Sequence, residues 1–390
     1  MRKPVYILEQ GHVLRRLAEI QDETFHSVVT SIPFWLQRSY DGKDAYGLEP
    51  TIELWAANQV KVFREVRRVM RDDGVCWLVD GEGWFSARSF AGPGHAAGGA
   101  FKRRHDNAGA AVGKRLQKHH ELKDGDLTMQ AHFLAMKLRA DGWYVRSVVA
   151  LEFENPVPES VSNRPVQSHQ YLVMLTKRQG SITKINLDGY YWDKVSSREP
   201  GVAHDRLVRS VWTGPIDKGY VCMINGKEWK HTSIMPIWIP RKCLSATIGD
   251  KGCCPQCGAQ WRPIYSKAKG GSTGKSWHDH ENDIVNGNAK KTSSKDYVPP
   301  VIKGWKPGCK CGHKETVPSR VLDPYTGSST TGVEALTRCA DYYGIDLDPR
   351  AIRVSKIRLA EHEKKLEVPL FDSVKAAREQ KEMFEEGARH

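Results

Sequence analysis

Three segments of the chain combine residue types and spacings that could do chemistry. The first, "VLDPYTGSSTTGVEAL", reads as an apolar strand ending at Asp323, then Pro324 and Tyr325, a tight turn through Gly327, and a helix opening at Thr330 or Thr331. Glycine lets the backbone approach a ligand closely, and a helix N-terminus presents free N–H groups beside it. The strand of "YYGIDLD" then ends at Asp346, about twenty residues past the turn, where a carboxylate can accept both hydroxyls of a ribose. The second segment, "SVVTSIPFW", runs a buried strand into Ser31, Ile32, Pro33, Phe34 and Trp35: a small polar group, a rigid turn and two aromatics. Such a set suits a flat polar base. Phe34 offers a stacking face, and the Ser31 hydroxyl and Ile32 carbonyl can accept hydrogen bonds from an amino group. An ordinary strand-to-loop transition with a core aromatic is the plainer reading of the same residues. The third segment pairs Cys254-Pro-Gln-Cys257-Gly with Cys309-Lys-Cys311-Gly, four thiols at knuckle positions that suit tetrahedral zinc. Four protein ligands leave no place for water, so this zinc would be structural. Cys253 and His313 are possible substitutes, and an unliganded or redox pair is the alternative.

These segments need elements to hold them. Val5 to Leu8 reads as a strand, the Leu14 region as a short helix, and Ser27 to Ser31 as a buried strand. From about Leu54 to Met70, Val60, Phe63, Val66 and Val69 recur at helical spacing, and Asp73-Gly74 is expected to turn the chain into the strand "VCWLVD". Residues from about 86 to 126 mix Gly and Ala with Lys102, Arg103, Arg104, Lys114, Arg115 and Lys118, and read as a basic loop for nucleic acid or a merely solvated insertion. A helix follows over Thr128 to Ala140, then strands at "WYVRSVVALEF" and "YLVMLTK". Residues 180 to 230 show little periodicity and no motif. About Lys267 to Lys295 is polar, and beyond Pro369 an Ala/Glu/Lys/Arg-rich tail reads as helical.

The composition is permissive rather than decisive. The chain has 390 residues, enough for one α/β domain with insertions, and 59 Lys+Arg against 46 Asp+Glu give a formal charge of +13. A basic balance favours a polyanion by counterion release. No run of about 18 apolar residues occurs and "MRKPVYILEQGHVLRRL" lacks a signal-peptide core, so a cytoplasmic protein without a membrane partner is expected.

The wording of the motifs is closer to one family than their physics alone requires. "DPYTGSSTTG" resembles the "DPF-x-G-x-G-TT" cofactor motif of amino-group DNA methyltransferases, and "GIDLDP" the "GIELNP" that follows it there. "TSIPFW" is similar to "TSPPYW", with Ile32 for proline and Phe34 for tyrosine, and Ser329 stands where the family usually has glycine. Similarity continues through "YGLEPTIELWAANQVKVFREVRRVMRDDG", "NPVPESVSNRPVQSHQYLVMLTK" and "HTSIMPIWIPRKCL". The catalytic motif precedes the cofactor motif, as in the permuted beta group. The resemblance implies a Rossmann-like sheet with helices on both faces, carrying a zinc-ribbon insertion and DNA-recognition loops. It places the catalytic half at 1–179, a candidate target-recognition region at 180–230, a return to the core at 231–250, the ribbon at 251–315 and the cofactor half at 316–390. It implies methyl transfer from S-adenosylmethionine (SAM) to an exocyclic amino nitrogen of a flipped base in double-stranded DNA. Ser31 in place of aspartate leans towards cytosine N4, with adenine N6 as alternative. Asp323, Pro324, Tyr325, Gly327, Ser329, Thr330, Thr331 and Asp346 would hold the cofactor, and His231 would help at its methionine end. His12 stands where relatives have an acid after glycine. Together with Ile32 and Ser329 it leaves open a SAM- and DNA-binding relative that has lost catalysis; RNA or protein methylation is the third possibility.

Overall fold

The computed structural model describes residues 1–37, 44–85, 119–156, 158, 161–178, 210–217, 219–224, 226–231, 234–266 and 302–367. Most of the basic loop, residues 179–209, the polar stretch after 266 and the C-terminal tail lie outside them.

Eight strands form one sheet in the order β1-β12-β11-β2-β3-β5-β4-β6. They are β1 (Tyr6–Gln10), β2 (Phe25–Ser31), β3 (Met70–Asp80), β4 (Tyr144–Phe153), β5 (His169–Thr176), β6 (Val211–Gly214), β11 (Arg320–Asp323) and β12 (Asp341–Asp346). Only β5 runs antiparallel to its neighbours. The strand before the last in sequence, β11, sits between β12 and β2, so the C-terminal pair β11 and β12 is inserted between the N-terminal strands β1 and β2.

Both faces are covered. Helices α1 (Val13–Ala18), α2 (Ile52–Val69) and α3 (Gln130–Ala140) bury Leu17, Trp55, Phe63, Leu134 and Leu138 against one face. Helices α4 (Trp238–Thr247), α5 (Thr330–Thr337) and α6 (Pro349–Glu367) bury Ile239, Leu244, Leu336 and Leu359 against the other. Strand β3 shows why its sequence is apolar throughout: Cys76 and Leu78 enter the first core, Val75, Trp77 and Val79 the second.

Two expectations change here. Asp73-Gly74 makes no turn between α2 and β3, because the chain is already extended at Met70 and the strand absorbs residues 71 to 74 in a register shift against β2. In the 180–230 region, whose sequence shows little periodicity, Val211–Gly214 is the edge strand of the main sheet, paired with β4. It is followed by a hairpin, β7 (Tyr220–Ile224) and β8 (Lys227–His231), with His231 opposite Tyr220. Strands β9 (Arg262–Tyr265) and β10 (Ile302–Lys306) form a separate antiparallel pair beside the cysteines. Among the described residues, no helix is long and apolar enough to cross a membrane.

Candidate active site

The carboxyl ends of β2, β11 and β12 lie side by side, and there the two separate motifs become one site. Asp323 and Thr30 bind across the strands, Thr30 Oγ1 donating to Asp323 Oδ1 at 2.7 Å, and Thr331 Oγ1 donates to the Val29 carbonyl at 3.1 Å. The residues before Ser31 are thus fastened directly to the cofactor turn.

The turn is held from several sides. Gly327, at φ +52°, donates its amide to Asp346 Oδ2 at 2.9 Å, while Asp348 N donates to Asp346 Oδ1 at 2.9 Å. Ser329 is left-handed at φ +58° and fully buried, and its hydroxyl bonds Thr326 Oγ1 at 2.7 Å. Its added Cβ and hydroxyl are therefore folded back into the turn. Thr326 Oγ1 is also bonded to the Tyr342 hydroxyl. Tyr325 OH donates to Gln59 Oε1 of α2 at 3.0 Å, and Pro324 is buried. One contributor escaped the sequence reading: Arg358 on α6, whose Nη1 donates to the Ser328 carbonyl at 3.1 Å and to Thr330 Oγ1 at 2.9 Å. Its guanidinium lies 5.1 Å from the Tyr220 ring centre, so it joins hairpin β7–β8 to the turn. Helical spacing alone shows only one more cation in a charged helix.

The electrostatics favour a cationic, hydroxyl-rich ligand. Burial pushes the Asp323 carboxyl up to about 7 and Asp346 up to about 6, each against the hydrogen bonds that would lower it. No protein cation figures among the leading influences on either group. Among the described residues these two buried acids have no ion-pair partner and suit the sulfonium, ammonium and ribose of SAM, while the N-terminus of α5, with no acid in its first turn, suits its carboxylate. His12, in contrast, packs edge-on against Tyr46 with ring centres 5.4 Å apart.

The turn from Ser31 to Trp35 sorts its residues differently from the sequence reading. Phe34 is partly exposed, but Trp35 is buried, 1% exposed, and donates its indole N–H to the Glu49 carbonyl at 2.9 Å. Trp35 is therefore a pillar under the turn and no stacking face. Trp55 Nε1 donates to the Pro33 carbonyl at 3.0 Å, and Gln37 N reaches the Phe34 carbonyl at 3.4 Å. Ile32 N donates to Val79 O at 3.3 Å, and a parallel ladder would next bring the Gly81 amide to Ile32 O. Asp80 Oδ1 takes that amide instead, at 2.9 Å. Among the described residues, neither the Ile32 carbonyl nor the Ser31 hydroxyl has a hydrogen-bond partner, so two acceptors stand open beside Phe34.

At the other end of the sheet, Cys254, Cys257, Cys309 and Cys311 bring their sulfurs within 4.8 Å of one another. The two possible substitutes lie apart in role: Cys253 Sγ points to the Val317 carbonyl at 3.5 Å, and His313 Nε2 faces Gln256 Oε1 at 3.1 Å. The first knuckle is docked on the sheet, with Arg71 Nη1 donating to the Cys257 carbonyl at 3.0 Å and His26 Nε2 bonded to the Gly258 carbonyl at 2.9 Å. A second grouping, Glu53, His119 and His120, does not suit a metal. His119 Nδ1 accepts the amides of Glu121 and Leu122, which puts the ring proton on Nε2, facing Glu53 at 3.2 Å.

Comparison with known proteins identifies the family. The N6/N4 methyltransferase family model, described as DNA methylase, matches residues 25–299. The chain belongs to that family. Type II methyltransferase M.XycI of Xanthomonas campestris pv. cyanopsidis is 32% identical over 244 residues, 62% of this chain and 72% of that protein. M.Cfr9I of Citrobacter freundii is 26% identical over 356 residues, 90% of this chain and 87% of its own. Among solved structures, a putative DNA modification methylase from Thermus thermophilus in complex with SAM aligns with a TM-score of 0.47 at 14% identity, over 92% of this chain and 94% of that one. The PvuII cytosine-N4-specific enzyme aligns at 0.45 and 12%, over 92% and 89%. The chain is therefore a SAM-dependent DNA methyltransferase acting on an amino nitrogen, and two motifs far apart in its sequence lie side by side in the sheet.

Proposed function

We propose that this methyltransferase modifies the N4 amino group of cytosine flipped out of duplex DNA, as the modification partner in a restriction–modification pair. The observation that carries the reading is the pair of open acceptors, Ser31 Oγ and Ile32 O, beside the partly exposed Phe34 ring. A base taken from the stack must be held by its edge and its face. Phe34 supplies the face. The two acceptors take the two amino hydrogens, which turns the nitrogen lone pair out of the ring plane. When bound, SAM supplies the electrophilic methyl group; Asp346 would accept its ribose hydroxyls, Asp323 and the α5 N-terminus would line its methionine end, and the turn held by Arg358 keeps them in place.

Catalysis in this site is mostly alignment, because no side chain need form a covalent bond to the base. The neutral Ser31 hydroxyl supports the cytosine reading, as the commoner companion of N4 chemistry in the resembling motifs. The relatives are Type II methyltransferases, which supports the restriction–modification setting. The four gathered thiols suit one structural zinc ion. Nucleoside mass spectrometry on plasmid DNA treated with protein and SAM tests the reading: N4-methylcytosine is expected, and N6-methyladenine alone would overturn the choice of base.

A further inference from the structure

We propose that Gln170 reads the base edge next to the amino group and thereby selects cytosine over adenine. The inference rests on the N4 reading above. Strand β5 is antiparallel, so its first residues arrive at the end of the sheet where β2 and β3 finish. Tyr171 pairs with Asp80, which sets Gln170 opposite Gly81. Gly81 leaves room there. A Cβ on it would lie 2.8 Å from Phe34 Cε2 and 3.5 Å from Gln170 Nε2, so the stacking ring and the amide meet over bare backbone.

Strand alternation puts Gln170 on the correct side. Leu172 and Met174 face the core covered by α4, α5 and α6, and Gln170 shares their parity. Ser31 shares the parity of Val29, which faces the same core, and α5 is the helix that opens from the cofactor turn. Asp80, fully buried, points the other way, where Gln130 Nε2 donates to its Oδ1 at 2.9 Å. Glu82, equally tempting as a reader, is used up at the start of α3, where it accepts Gln130 N at 2.8 Å.

The neighbouring polar side chains on β5 and just before it are committed: His169 Nε2 bonds Tyr171 OH at 3.0 Å, and Gln167 Nε2 donates to the His169 carbonyl at 3.2 Å. Gln170 is half-buried, and among the described residues its amide has no hydrogen-bond partner. Its amide reaches solvent, so a base edge entering the site would exchange water for a direct partner. Cytosine supplies that partner. With its amino hydrogens taken by Ser31 and Ile32, the next groups along its edge are N3 and O2, two adjacent acceptors that can share an N–H of the amide. Adenine offers N1 and then a C–H, so the amide finds one acceptor instead of two.

The test uses the full chain and duplex oligonucleotides carrying the methylated site mapped by modification-aware sequencing. The target position holds cytosine, 3-deazacytosine, which keeps the amino group and O2 but lacks N3, or adenine. Gln170→Ala should lower kcat/KM on cytosine about 10- to 100-fold, as loss of a buried base contact does, while SAM affinity stays within twofold. On 3-deazacytosine the variant should fall much less relative to wild type, and its cytosine-over-adenine ratio should drop. Gln170→Glu, close to isosteric but an acceptor only, should lose at least as much on cytosine, and it serves if the alanine variant does not fold. Unchanged activity on cytosine, or the same fold loss on both pyrimidines, would overturn the assignment of Gln170. N6-methyladenine as the wild-type product would instead overturn the base choice on which it rests.

Discussion

Strand β2 carries polar groups at both ends, and the two ends use them in opposite ways. At its start, His26 is buried with both ring nitrogens bonded, Nε2 to the Gly258 carbonyl and Nδ1 from the Arg320 amide, each at 2.9 Å, and Arg71 bridges Asp73 and the cysteine knuckle. His26 and Arg71 are thus paired within the chain. At its finish, Ser31 and Ile32 keep open acceptors, and Asp323 and Asp346 are buried acids raised by desolvation with no ion-pair partner among the described residues. A satisfied end braces the sheet, and an unsatisfied end is finished only by ligands. The difference makes separate claims about stability and turnover.

The largest effect should come from the open end. Phe34→Ala is expected to lower kcat by about 100-fold or more through lost base alignment, with SAM affinity within about threefold. Single-turnover methylation and calorimetric SAM binding separate the two. Asp346→Ala should do the reverse first, weakening SAM roughly 10- to 100-fold, as loss of a charged hydrogen-bond acceptor does. Equal loss of binding in both variants would erase the division of labour within the site.

The braced end comes next. Metal analysis should find about one zinc per chain, and Cys254→Ser should remove it and lower the unfolding midpoint by about 5–10 °C, consistent with a few kcal/mol of lost brace. Turnover at low temperature should survive, because the knuckle lies at the opposite end of β2 from Ser31. A variant as stable as wild type, or one inactive while folded, would break the comparison.

A smaller effect concerns pH. The folded-state pKa values of Asp323 and Asp346 are raised, so the stability tied to them is full below the ordinary aspartate range and is lost as pH rises through about 6 to 7. Asp323→Asn should therefore raise the unfolding midpoint of the SAM-free protein at pH 8, by roughly 1–2 kcal/mol equivalent, and flatten its decline between pH 4 and 8. SAM, being cationic, favours the ionised acids, so its affinity for wild type should increase over the same window. The smallest change is expected for Ser329→Gly. It relieves a left-handed non-glycine residue but deletes the hydroxyl bonded to Thr326, and the two nearly cancel to within about 1 kcal/mol.

The elements that carry this site were largely legible in the sequence, because each is local. Asp323, Gly327 and Asp346 sit at strand ends and turns that apolar runs announce, and all three lie where the motif reading put them. The failures are non-local. Trp35 follows Phe34 in sequence, yet only the position of Glu49 and α2 decides that it goes inside. Arg358 becomes a clamp because α6 passes behind the cofactor turn. Gln170 enters the site through the register of an antiparallel strand, which periodicity does not fix. Edge strand β6 is four residues long and half exposed, too short a pattern to separate from loop.

The central claim is that the open acceptors at the end of β2 direct a base amino group to SAM. The most direct measurement is nucleoside mass spectrometry of duplex DNA incubated with the protein and SAM carrying a deuterated methyl group. N4-methylcytosine bearing three deuterium atoms, abolished by Phe34→Ala in protein that still binds SAM, is the predicted result. Label only on a ring carbon, only in RNA or protein, or unchanged by that substitution would contradict the account.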